Sequence, residues 1–203
     1  YNDEAALEEL AEISDVITYE FENIDYEGLK RLTQMAYVPQ GAELIRITQD
    51  RITEKQAIVE AGCPVAPYIV AETYEKLVEQ IDSLGFPCIV KTARGGYDGK
   101  GQQLLNSKED LPLCENLFEH SQCIAEGFVS FKKEISVIVQ RNGYGDTKCL
   151  PVGENIHVNH ILHETIVPAR IEQHTTEKAI EAAMNIANHL QLITWNFVIS
   201  EQR

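Results

Sequence analysis

The chain has 203 residues, 44% of them hydrophobic, and a formal net charge of −15. This composition is typical of a globular protein, and no apolar run reaches the length of about 18 residues that a transmembrane helix needs, so a membrane span is excluded. The acidic balance also argues against nucleic-acid binding, because such proteins usually present a basic surface to the phosphates.

The start of the chain and its cysteines favour a cytoplasmic protein. Tyr1 is followed by acidic residues, unlike a signal peptide, and the chain looks as if it begins within a longer protein. No two cysteines are spaced as C-x-x-C, which argues against a zinc site or a disulfide framework. We expect most of the cysteines to be buried thiols in a reducing cytoplasm; they are Cys63, Cys88, Cys114, Cys123 and Cys149.

The first part of the chain is predicted to be mostly helical. Apolar spacing and terminal residues predict helices over 3–13, 26–35, 48–61 and 72–84. Thr48 is the expected cap of the third of these helices, and glycines end the last two. Between the first two helices, the β-branched residues of 15–22 predict a strand that ends in carboxylates.

The remainder alternates between extended and helical patterns. Strands are predicted over 87–92, 103–105, 123–126, 134–140, 150–152 and 193–199, and helices over 108–118 and 175–190. A turn over 142–146 is consistent with a hairpin whose return strand is 150–152. This mixture predicts α+β or α/β layers.

A glycine-rich segment follows the lysine that ends the 87–92 strand. Four glycines lie within residues 95–101, just after Lys91. Glycine lets backbone N–H groups approach an anion closely, and an ammonium group can reach the same anion. The spacing fits neither a Walker A motif nor a Rossmann fingerprint. An ordinary mobile turn remains an alternative, because glycine clusters also mark plain turns.

Two glutamates and a histidine are further candidates. Glu126 ends a predicted strand and Glu134 starts the next, so their carboxylates are suited to an adenine edge and to ribose hydroxyls. Simple solvated glutamates remain the alternative. His157 lies near His160 and His163, but no helix or strand is evident there, so a three-histidine metal site is disfavoured.

Several motifs occur in a characteristic order. They are Asp50-Arg51 with Lys55, then 62–67, 85–91, the glycine-rich segment 95–102, Glu126 and Glu134. In this order they resemble the ATP-grasp superfamily. The string 95–102, supported by 15–23 and 165–170, is similar to the family of 5-(carboxyamino)imidazole ribonucleotide synthases, the ATPase subunit of phosphoribosylaminoimidazole carboxylase. The resemblance extends to about Leu192.

The resemblance implies a fold and a reaction. In an ATP-grasp fold two α+β subdomains clasp ATP, here after the end of a Rossmann-like pre-ATP-grasp domain. We expect residues 1–49 to finish that domain, 50–127 to form the small (lid) subdomain, and 128–203 to begin a truncated large subdomain. The implied enzyme is an ATP-dependent ligase of purine biosynthesis. It phosphorylates bicarbonate to carboxyphosphate and carboxylates the exocyclic amine of 5-aminoimidazole ribonucleotide.

The resemblance also implies roles for individual residues. Arg51 and Lys91 would hold nucleotide phosphates under a lid formed by 96–102, residues 126–129 would bind adenine, and Glu134 the ribose. The implied nucleotide-binding residues are Arg51, Lys91, Gly96, Tyr97, Asp98, Gly99, Lys100, Gly101, Gln102, Glu126, Gly127, Phe128, Val129, Glu134 and His157. The implied catalytic residues are Lys91, Tyr97, Asp98 and Arg170, of which Tyr97 and Asp98 would contact the imidazole substrate or bicarbonate and Arg170 an anionic group.

Both ends of the chain depart from the family pattern. The family's first strand and glycine turn would precede Tyr1. Its late magnesium-binding glutamate aligns with Val198, or with Asn196 if a small gap is allowed, and an Asn-Glu pair would lie beyond Arg203. We therefore expect no metal ligand in this chain, Mg²⁺ ligands beyond it, and no turnover by the chain alone.

Two other functions remain open. One is a different ATP-grasp carboxylate–amine ligase, and the other is a non-catalytic ATP-binding module, suggested by the missing metal carboxylates. The resemblance further implies a homodimer in the complete protein, with ATP, bicarbonate and 5-aminoimidazole ribonucleotide as small-molecule partners.

Overall fold

The computed structural model describes residues 2–21, 23–95, 101–119, 121–159 and 161–191, together with the backbone of 194–202. Its helices are α1 (Glu4–Ile13), α2 (Tyr26–Met35), α3 (Glu43–Thr48), α4 (Arg51–Glu60), α5 (Tyr74–Leu84), a 3₁₀ helix (Lys108–Phe118) and α6 (Gln173–His189). Its strands are β1 (Tyr68–Ala71), β2 (Cys88–Thr92), β3 (Gln102–Leu105), β4 (Cys123–Gly127), β5 (Phe131–Arg141), β6 (Thr147–Cys149), β7 (Gly153–Val158), β8 (Ile161–Ile166) and β9 (Thr194–Gln202). Within these described ranges, every helix is too short or too polar to cross a bilayer.

Aspartate, not threonine, caps the helix that precedes the glycine-rich segment. The Asp50 carboxylate accepts a hydrogen bond from the N–H of Ile52 at 3.0 Å and starts α4. The predicted cap at Thr48 is wrong, because Thr48 ends α3 and its hydroxyl donates to the carbonyl oxygen of Leu44 at 3.0 Å. Threonine forms this backward bond readily within helices, which leaves the capping of the next helix to Asp50.

The predicted strand over 15–22 is wrong in its described part, because residues 15–21 form no strand. The N–H of Ile17 instead donates to the carbonyl oxygen of Tyr37 at 3.0 Å. Ile17 packs into a small core with Leu29, Leu32 and Ile45. Val16 and Phe21 are exposed, so the strand-like pattern reflects β-branched and aromatic residues that have no ladder partner.

A four-stranded antiparallel sheet has the order β1–β4–β2–β3 and carries the predicted lysine strand. Lys91 on β2 lies opposite Gln102 on β3 and Ile124 on β4. Leu77 and Ile81 of α5 are fully buried in the core of this layer. Strand β1 was not predicted, since four residues are too few to establish a period of two.

A second, five-stranded sheet is centred on β5, which pairs with β6, β7 and β9, while β8 pairs with β7. Helix α6 covers one face through Ala179, Ala183 and Ala187. The β5–β6 hairpin was predicted, but its return strand is Thr147–Cys149 and not 150–152. Strands β7 and β8 were not predicted. The residues of β8 are exposed on both faces apart from a half-buried last residue, and buried and exposed positions do not alternate along this strand. The two antiparallel sheets with their helices confirm the predicted mixed fold class.

Candidate functional site

A half-buried carboxylate flanked by two lysines lies on the four-stranded sheet. Lys91 Nζ on β2 is 2.6 Å from Glu126 Oε2 on β4, and Lys55 Nζ on α4 is 2.9 Å from Glu126 Oε1. The exposed fractions of the side chains are 13% for Glu126, 14% for Lys55 and 25% for Lys91. Short charge-assisted contacts of this kind are stronger than neutral hydrogen bonds. Three segments distant in sequence thus form one ionic cluster.

The charge state of this cluster follows from its contacts. Burial alone would raise the pKa of Glu126, but the charges and hydrogen bonds of Lys91 and Lys55 outweigh it and lower the pKa below its ordinary value. The carboxylate is therefore ionised at neutral pH, and two ammonium groups against one carboxylate leave one net positive charge. This local positive charge can attract an anion although the chain as a whole carries a net charge of −15.

The base of the glycine-rich segment is held by Arg51. Its Nη1 donates to the carbonyl oxygens of Thr92 at 2.9 Å and Gly95 at 2.7 Å. Across the base, the N–H of Thr92 donates to the carbonyl oxygen of Gly101 at 3.0 Å. Gly95 and Gly101 have φ angles of +70° and +71°, which glycine adopts without strain. The predicted site residues between them lie outside the described residues; these are Gly96, Tyr97, Asp98, Gly99 and Lys100.

A cavity of about 550 Å³ lies between the two sheets, with Gln102 on one side and residues of β5 and β7 on the other. Glu134 and His157 both line it, and Glu134 Oε1 is 3.5 Å from His157 Nδ1. Asn155 Nδ2 donates to the same Oε1 at 3.3 Å, which orients the carboxylate. The volume suits a small-molecule ligand, for which sites span about 300–1,000 Å³. The structure thus brings together predicted residues from both sheets.

Two strands supply the histidine region that the sequence pattern left without structure. His157 lies on β7 and His163 on β8, whereas His160 lies outside the described residues. The expectation that no strand occurs there is wrong, because β7 and β8 form an antiparallel pair. Within the described side chains, no group of three or more His, Cys, Asp or Glu residues is arranged to hold a metal ion.

A second ionic cluster is centred on Glu154, which lines the cavity. Arg170 donates to it from Nε at 3.0 Å and from Nη2 at 2.8 Å, and Lys133 Nζ lies 3.1 Å away. The hydrogen bond from Arg170 is the main cause that lowers the pKa of Glu154 to about 2, against the opposing effect of desolvation. Arg170, which the resemblance placed at an anionic ligand, therefore has its guanidinium engaged by a protein carboxylate.

The segment after Glu126 already uses part of its hydrogen-bonding capacity. The N–H of Gly127 donates to the carbonyl oxygen of Pro67 at 2.9 Å, and that of Phe128 donates to Pro87 at 3.0 Å. The N–H groups of Gly127 and Phe128 are therefore engaged within the protein.

Sequence reasoning missed the ionic contacts that three residues make at the candidate site. Lys55 appeared only as part of a motif, although it follows Arg51 by four positions and such residues share a helix face. Lys133 and Glu154 carried no local signal, because their partner Arg170 lies 16 residues beyond Glu154 and the contact depends on how β5 and β7 pair.

Comparison with known proteins gives the following similarities. A family model described as the ATP-grasp domain matches residues 56–195, and one described as the ribonucleotide synthetase preATP-grasp domain matches residues 1–49. The N5-carboxyaminoimidazole ribonucleotide synthase of Bacillus subtilis (strain 168) is 50% identical over 193 residues, which cover 95% of this chain and 51% of that protein.

Solved structures are similar over nearly the whole chain. The ADP complex of an N5-carboxyaminoimidazole ribonucleotide synthetase has a TM-score of 0.93 and 51% identity, covering 98% of this chain and 53% of that one. The ADP complex of N5-carboxyaminoimidazole synthetase from Staphylococcus aureus has a TM-score of 0.90 and 43% identity, covering 98% and 54%. The chain spans about half the length of the relatives that it matches.

Proposed function

The chain belongs to the ATP-grasp family, and on that premise we propose that it is part of an ATP-dependent ligase that carboxylates the exocyclic amine of 5-aminoimidazole ribonucleotide with bicarbonate. The observation that carries this proposal is the 50% identity with a N5-carboxyaminoimidazole ribonucleotide synthase over 95% of the chain. The complexes of the two solved relatives with ADP support a nucleotide ligand. The product of the reaction would enter de novo purine synthesis.

The nucleotide would lie against both sheets. Lys91 would contact its phosphates, together with Arg51 and a lid formed by residues 96–102. Glu126 and the backbone of residues 127–129 would contact adenine, while Glu134 and His157 would contact the sugar side of the nucleotide. The cavity beside Glu134 and His157 and the positive cluster around Lys91 support this assignment.

The proposed reaction has two steps. An oxygen of bicarbonate takes the γ-phosphoryl group of ATP, which gives carboxyphosphate and ADP. The amine nitrogen then bonds to the carboxyl carbon, directly or after release of carbon dioxide, as the bond to phosphate breaks and the nitrogen loses a proton. Fixed positive groups would stabilise the negative charge on the transferred phosphoryl oxygens, and a closed lid would protect carboxyphosphate from water.

Tyr97, Asp98 and Arg170 complete the proposed site. The first two would contact the imidazole substrate or bicarbonate. Arg170 would act at an anionic group only if its guanidinium left Glu154, to which it donates two hydrogen bonds. Magnesium supplies charge neutralisation to triphosphates, and we propose that its protein ligands lie outside this chain.

The domain division and the setting of the protein are also proposals. Residues 1–49 would end a pre-ATP-grasp domain, 50–127 form the small subdomain and 128–203 begin the large one. The separation of the two sheets at residues 68–127 and 131–202 supports this division. We further propose that the complete protein is a homodimer and that it lies in the cytoplasm. The free and mostly buried cysteines are suited to that reducing compartment.

Release of ADP by the full-length protein tests the reaction. We expect release to require both bicarbonate and 5-aminoimidazole ribonucleotide, with the N-carboxy product formed in equal amount. Release that depends on a different amine or carboxylate substrate would assign the chain to another ATP-grasp ligase.

Thermal stabilisation by ATP tests the nucleotide site separately. At a concentration about 100 times the Kd, a ligand stabilises the folded protein by about 2.7 kcal/mol. We expect this stabilisation to be lost in Lys91→Ala and retained in Lys108→Ala, whose exposed ammonium pairs with Asp82 away from the cluster. Stabilisation without any substrate-dependent ADP release in the full-length protein would instead indicate a non-catalytic binding module.

A further inference from the structure

We propose that Lys55 is a positioning residue that keeps Glu126 oriented as an acceptor for the 6-amino group of adenine, and that it thereby sets the preference for ATP over nucleotides with a 6-oxo group. This inference rests on the proposed adenine contact of Glu126 and assigns a separate residue to its specificity.

The two lysines contact different oxygens of the Glu126 carboxylate. Lys55 binds Oε1 and Lys91 binds Oε2, so each carboxylate oxygen has its own ammonium partner. Their surroundings differ, since the Lys55 ammonium lies 5.5 Å from the centre of the Tyr68 ring, a cation–π distance that holds it in place. Tyr68 on β1 is the direct cross-strand neighbour of Glu126 on β4, which fixes this ring beside the cluster.

Lys91 is the partner that can leave. It is the more exposed of the two lysines, at 25% against 14%, and it lies opposite Gln102, where the glycine-rich segment ends. A triphosphate at that segment would compete with Glu126 for the Lys91 ammonium. Lys55, on a helix and beneath an aromatic ring, would remain.

A carboxylate left alone in a largely buried position is unfavourable, and it takes up a proton or turns away. With Lys55 in place, Glu126 keeps one cationic partner after Lys91 has moved. An ionised carboxylate accepts hydrogen bonds but donates none. It therefore accepts from the 6-amino group of adenine and repels the 6-oxo group of hypoxanthine, so Lys55 sustains base selection without contacting the base.

Measurement of nucleotide Kd values for the full-length protein tests this role. The Kd values of ATP and inosine triphosphate are determined by calorimetry for the wild type, Lys55→Met, Lys55→Arg and Glu126→Gln. The ratio of the two Kd values is compared within each protein, because a reduced folded fraction affects both nucleotides equally. Loss of a hydrogen bond to a charged group corresponds to a factor of roughly 10–100, so the wild type should prefer ATP by about that factor.

We expect Lys55→Met to reduce the ratio to within about threefold of one, Lys55→Arg to restore most of it, and Glu126→Gln to abolish it, because an amide can both donate and accept. If Glu126→Gln abolishes the preference while Lys55→Met retains it, the role of Lys55 is overturned and the proposed adenine contact stands. If Glu126→Gln retains the preference, the adenine contact itself is wrong, and the inference falls with it.

Discussion

Removal of the Glu126 carboxylate by Glu126→Ala should destabilise the protein even without nucleotide. The substitution leaves the ammonium groups of Lys55 and Lys91 without their shared partner, and these side chains are only 14% and 25% exposed. Two like charges then face each other in a position with little access to water.

The expected magnitude lies between two limits. Removing one partner of a fully buried ion pair costs about 3–5 kcal/mol, whereas an exposed pair contributes about 0–1 kcal/mol. Because the cluster is partly exposed, we expect a loss of about 2–3 kcal/mol, which is below the buried limit. Since about 1 kcal/mol shifts the Tm of a chain of this size by roughly 2–4 °C, the Tm should fall by about 4–12 °C.

Urea unfolding and calorimetry measure this loss, and the chain provides a matched control. Asp82 pairs with Lys108 at 2.7 Å, but 66% and 52% of their side chains are exposed, so Asp82→Ala should cost less than about 1 kcal/mol. Replacing one freed ammonium in Glu126→Ala/Lys55→Met should recover part of the lost stability, because it removes the repulsion. Equal losses for Glu126→Ala and Asp82→Ala, or a further loss in the double variant, would refute the reasoning.

Two further predictions concern stability. Arg170 lowers the pKa of Glu154 to about 2. The contribution of Glu154 to stability is therefore complete above the ordinary glutamate pKa of about 4.3 and is lost as the pH falls towards 2. Across this window the Tm should decline less steeply in Glu154→Gln than in the wild type, and identical slopes would count against the pairing. Leu77 is fully buried beneath the four-stranded sheet, so Leu77→Ala should lower the free energy of unfolding in urea by about 2–5 kcal/mol. Leu113 is 57% exposed, so Leu113→Ala should cost less than about 0.5 kcal/mol. Comparable costs for the two variants would mean that the core is assigned incorrectly.

Local signals in the sequence were sufficient where the structure depends on neighbouring residues. Gly85 ends α5 after Leu84, as predicted, because a glycine takes the positive φ of 79° that closes the helix. The strand predicted over 87–92 is present as β2, with Lys91 as its penultimate residue, because β-branched and apolar residues suit a buried sheet. The strand predicted at 15–22 is absent over residues 15–21, because a strand also needs a ladder partner: Ile17 is buried in a small core, but Val16 and Phe21 are exposed.

The sequence by itself determined most helices, the lysine strand and the family resemblance, since caps, periods and motifs act over a few residues. Only the tertiary structure decided that Lys55 and Lys91 share one carboxylate, and that Arg170 and Lys133 share another. These contacts join segments up to 71 residues apart, from Lys55 to Glu126, and they depend on strand order, register and helix packing. No local pattern encodes such pairings, because their free energy arises only when the sheets have formed and water has been excluded from between the charges.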